Sequence, residues 1–96
     1  METLEYKGYT ATVKDDLTQA DLEAFADVFD LAEVGKVNIP KRNRTAFQAA
    51  LVAGWITLSP EVAPENLTQL RPDVVRFFGD KMIGVYLRIT RIDPNS

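Results

Sequence analysis

The final quarter of the chain carries more apolar side chain than one neighbouring helix can cover. Val74, Phe77, Phe78, Met82, Val85, Ile89 and Ile92 recur at helical spacing, and Val75, Ile83, Tyr86 and Leu87 widen the stripe. Asp73 caps the segment, Pro72 fixes the approach and Pro94 ends the pattern, which predicts a helix over about residues 73–91. A stripe this broad must meet several elements of its own chain or the surface of another.

The preceding residues supply those elements. Leu4 and Tyr6, then Tyr9, Ala11 and Val13, alternate with their neighbours, and the alternation slips by one at Lys7-Gly8. That predicts two short strands, near residues 3–7 and 10–14, joined by a hairpin turn or a bulge. A two-stranded ribbon is marginal alone, so it has to lean on helices. Thr18 is a good N-cap, Asp21 at N3 can return the bond, and Leu17 with Leu22 fits a hydrophobic staple. Leu22, Phe25, Val28, Phe29 and Ala32 then recur at helical spacing until Gly35, a natural stop, so a first helix is expected over about 19–34.

Val37-Asn38-Ile39-Pro40 reads as extended, because a proline disfavours helical dihedrals in the residue before it. Thr45 with Gln48 forms a capping pair, with Asn43 as a rival cap, and Phe47, Ala50, Leu51, Gly54 and Trp55 share one stripe. A second helix is expected over about 44–56, apolar on more than one face and therefore central and buried. Residues 57–72 hold three prolines and little periodicity. Ser59-Pro60 and Pro64 could each start a helical turn, and Leu58, Val62, Leu67 and Leu70 anchor the segment to the body. Long connections often carry function, so this one is either a structural clasp or a binding surface. The expected fold is α+β and mainly helical: one domain over residues 1–96, with an N-terminal β-hairpin packed on three main helices.

The residue inventory bears on chemistry. With no cysteine, disulfides, thiolate nucleophiles and cysteine metal sites are excluded. With no histidine, the chain lacks the usual neutral-pH base and the commonest metal ligand. Asp15-Asp16 with Asp21 lacks the alternating spacing of a calcium loop and is explained more simply by a helix N-terminus. Gly79 and Gly84 follow no strand, so they read as close-packing or kink positions and not as a phosphate cradle. These features lead to the expectation of a non-enzymatic protein without cofactor or metal. No basic-then-apolar stretch opens the sequence and no apolar run is long enough to span a bilayer, so a cytoplasmic location is expected.

Charge is uneven. Residues 1–35 hold nine acids and two bases, whereas residues 36–96 hold nine bases and five acids, so the halves carry −7 and +4 and sum to −3. The split favours contact within one chain, head-to-tail contact between copies, or docking onto charged partners. The candidate protein-contact residues are Phe77, Met82 and Tyr86 on the last helix, with Arg76, Lys81 and Arg88 along its other side, and the dense patch of Lys41, Arg42 and Arg44. Arg76, Lys81 and Arg88 could meet acids such as Asp27 or Asp30 of another copy. That patch also admits a small DNA-binding or regulatory adaptor domain, although nucleic-acid modules are usually basic overall and this chain is acidic.

A short ribbon with a glycine turn, a helix after "DDLT", a second ending in "LVAGWITL", a proline-rich connector and a final helix opening "RPDVVRFFGDKM" resemble the small tail assembly chaperones of long-tailed bacteriophages and prophages. The "WITL" and "VVRFF" segments carry most of the likeness. The resemblance implies self-association and binding of tape measure and tail tube proteins in the bacterial cytoplasm, with no cofactor. A minor structural or tail-completion protein of a virion shares most of these traits. No individual functional residue follows from the resemblance.

Overall fold

The computed structural model describes residues 2–29 and 38–90. A three-stranded antiparallel sheet is built from β1 (Glu2–Tyr6), β2 (Tyr9–Val13) and β3 (Ile56–Ser59), in the order β1-β2-β3. The helices are α1 (Gln19–Val28), α2 (Ile39–Val52) and α3 (Pro72–Thr90), with a 3₁₀ helix over Pro64–Gln69 before α3. The fold is α+β and mainly helical.

The slipped alternation at Lys7-Gly8 is a tight hairpin. Tyr6 pairs with Tyr9, and Lys7 and Gly8 both adopt positive φ, 44° and 88°, as a two-residue turn matched to strand twist requires. The register places Leu4, Ala11 and Leu58 in one cross-strand row and Val13 beside Ile56 in the next. Ala11, Val13, Ile56 and Leu58 are buried, so the apolar face of the sheet turns to the helices. β3 lies where a connector was expected, and the Ser59-Pro60 peptide is cis with no helical turn beginning there. The reason is the two-residue alternation of Ile56 and Leu58, which pairs with β2 and buries both. The second expected turn is present, as the 3₁₀ helix that starts at Pro64 and buries Leu67.

Helix boundaries follow local chemistry. The Thr18 side chain accepts from the Asp21 backbone N–H while Asp21 accepts from the Thr18 backbone N–H at 2.9 Å, closing the expected capping box. α1 stops at Val28 and not near residue 34: Phe29 is extended, and its wholly buried ring lies 5.3 Å from Phe25 and 5.8 Å from Tyr86. Gly35, Val37 and the last expected turn of this helix lie outside the described residues. α2 starts five residues earlier than the 44–56 reading. Asn38 caps it by accepting from the Lys41 N–H at 2.9 Å, and Pro40 sits in the first turn, where no N–H is needed. Thr45 is then an interior residue that donates to the Lys41 carbonyl. α2 ends at Val52, not at 56, because the Gly54 N–H donates to Leu51 O and the Trp55 N–H to Ala50 O, with Gly54 at φ 77°. This paired closure is a Schellman motif, and it swings Trp55 off the helix into the core.

α2 is the central element, with buried Asn43, Ala46, Phe47, Ala49 and Ala50, and it packs against α1, α3, β3 and the 3₁₀ helix. Its most extensive contact is with α3, and Gly79 makes that contact possible. A Cβ on Gly79 would lie 2.3 Å from the Asn43 carbonyl oxygen and 2.8 Å from its Cα. Gly84 has open space at the same test. Gly79→Ala therefore forces the helices apart and is expected to cost about 2 kcal/mol or more, in the range of overpacked cores. Gly84→Ala is expected to stabilise by about 0.5–1 kcal/mol through helix propensity. Urea unfolding of both variants reads the contrast, and a neutral Gly79→Ala would refute the close approach.

Candidate functional site

The start of α2, the 3₁₀ helix and the start of α3 enclose a groove of about 840 Å³. Ile39, Pro40, Leu67, Leu70, Pro72 and Val75 give it apolar walls, while Lys41, Arg44 and Arg76 supply the cations. Ile39, 60% exposed, forms the outer part of the apolar wall. Neither Lys41 nor Arg44 has a carboxylate within ion-pair distance among the described residues. Arg76 is partly engaged by Asp80 at 3.8 Å.

Among the described residues, Asp73 is the one carboxylate lining the groove, and its charge is already met. It accepts from the Tyr6 hydroxyl at 3.1 Å, lies 2.7 Å from Lys7 Nζ and accepts from Arg71 Nε at 3.3 Å. It sits in the first turn of α3 and binds the hairpin turn to that helix, in place of the simple cap expected of it. The Lys7 hydrogen bond first, then those from Tyr6 and the nearby charges, hold its carboxyl down to about 2.

The expected contact residues separate into two groups. Met82 is wholly buried and cannot meet a client, which corrects its reading as a protein-contact residue. Phe77 stacks on Tyr6 at 4.6 Å, with Lys81 Nζ 5.5 Å above its ring. Tyr86 stacks on Phe25 at 5.0 Å, and Phe25 in turn on Trp55 at 4.2 Å. The surplus of α3 is thus covered largely from within, by the sheet and by α1, and only Leu87 and Ile89 of the helix's large apolar residues are exposed. Arg88 is exposed at the far end of α3, beside a smaller cleft that Leu17 and Val85 also line. Arg42 points to Asp80 at 4.0 Å, whereas Lys41, Arg44 and Arg76 come together at the groove. Asp30 and Ile92 lie outside the described residues.

Sequence reasoning missed Asn43. It was read as a rival cap, but it lies inside α2, 2% exposed, and lines the groove. Its Oδ1 and the Arg44 Nε are buried without a hydrogen-bond partner among the described residues. Its only signal was an amide amid the apolar stripe of a buried helix. Among the described residues, no three of His, Cys, Asp or Glu lie together as a metal group, and no helix is long and apolar enough to cross a membrane.

No family model, no curated protein and no solved structure matches the chain.

Because the folded carboxyl of Asp73 sits below its ordinary value of 3.8, its stabilising effect is complete above that value and is lost as pH falls through about 2. Asp73→Asn is expected to lower the melting temperature at neutral pH and to flatten its decline between about pH 4 and 2. Thermal melts across that range test this, and an unchanged acid slope would show that Asp73 does not clamp the hairpin.

Proposed function

We propose that the chain is a non-enzymatic binding protein of a bacteriophage or prophage, a tail assembly chaperone or scaffold that acts in the host cytoplasm on tape measure and tail tube proteins. The observation that carries a contact role is the groove: an apolar trough with Lys41 and Arg44 on its rim, neither ion-paired among the described residues. Burying such walls supplies about 25 cal/mol per Å² of apolar area, and the cations orient the partner. The phage setting rests on the sequence resemblance alone.

The DNA-binding alternative fits the geometry less well. α2 carries Lys41, Arg42 and Arg44, but it is packed on several sides, and Phe47, Ala46 and Ala50 on it are wholly buried. A helix so enclosed cannot lie in a major groove.

Coexpression tests the proposal. A tape measure fragment that aggregates alone is expected to stay soluble with this protein and to elute with it in gel filtration. Equal aggregation with and without the protein would end the chaperone reading. Retention of duplex DNA that weakens steeply with salt would favour the alternative.

A further inference from the structure

We infer that the groove between the starts of α2 and α3 takes an acidic–apolar peptide segment of a partner protein, whose carboxylates are met by Lys41 and Arg44. This rests on the proposed function only in treating the groove as a protein-contact site.

Two observations converge. The first is charge. A chain of net charge −3 gathers Lys41, Arg44 and Arg76 around one groove, and Asp73, the one carboxylate lining it among the described residues, is already held by Lys7, Tyr6 and Arg71. The groove therefore favours carboxylates and repels a basic segment. The second is the apolar wall, where Ile39 stands exposed. A partner must bring apolar side chains as well as acids.

The probe is a fluorescein-labelled peptide alternating leucine with glutamate, with a twin carrying lysine in place of every glutamate, read by anisotropy on the full chain. The glutamate peptide is expected to bind and the lysine twin to bind at least about tenfold more weakly. Lys41→Glu with Arg44→Glu is expected to weaken the glutamate peptide by a similar factor while the protein stays folded. Equal binding of both peptides, or binding unaffected by the charge-reversed pair, would overturn the inference. So would absence of binding, or a self-associating wild type that becomes monomeric on charge reversal, which would make a second copy the occupant. If the glutamate peptide binds but tape measure fragments do not, the phage role fails and the site stands. If those fragments bind wild type and the charge-reversed pair alike, the role stands and the site fails.

Discussion

The absence of a side chain at Gly79 lets α3 rest on the backbone of α2 at Asn43, and the arrangement of the helical layer depends on that contact. It brings Phe78 against Phe47 at 5.3 Å and puts Val74 and Met82, one turn to either side, inside the core. Such close packing forms a core in which each added methylene is felt. It also makes a site, because Asn43 belongs both to the helix contact and to the groove.

Two tethers hold the remaining elements to this pair. Trp55, delivered by the turn at Gly54, donates from its indole to the Asp21 carbonyl at 2.8 Å and stacks on Phe25, which fixes α1. Its own carbonyl accepts from Lys14, which carries the sheet pairing past Val13. At the other end, Asp73 and Phe77 of α3 hold Tyr6 and Lys7 of the hairpin by charge, hydrogen bond and stacking. The apolar excess of α3 is thus answered by aromatic rings from distant parts of the same chain, each stacked pair adding about 0.5–1.5 kcal/mol beyond its area.

How much of this was legible in the sequence depends on the range of the interaction. The hairpin turn and the Thr18 box are written in four or five consecutive residues, and both were read correctly. The start of α2 was misread because Pro40 restricts Ile39, yet proline in a first turn, after an asparagine cap, is favourable. β3 escaped because four residues give only two apolar positions, and its existence depends on pairing with β2 more than forty residues away. Phe77 and Tyr86 looked like surplus because their cover comes from residues 6, 25 and 29, a relation no local pattern encodes. The cations Lys41, Arg44 and Arg76 were singled out from charge alone, but the walls they rim come partly from Leu67 and Leu70, on the connector whose role was left open between clasp and surface. Asn43 was invisible as a site residue, since an unpaired buried amide is a property of three dimensions only.

The central claim is that the groove beside the α2–α3 contact is the face on which this protein meets a partner. Amide chemical-shift mapping on the full chain, titrated with the leucine–glutamate peptide, tests it most directly. The account predicts perturbations concentrated at residues 38–44 and 67–76, with α1 and the strand β3 little moved. Perturbations centred instead on the exposed residues Leu87 to Ile89, or on the sheet, would contradict it.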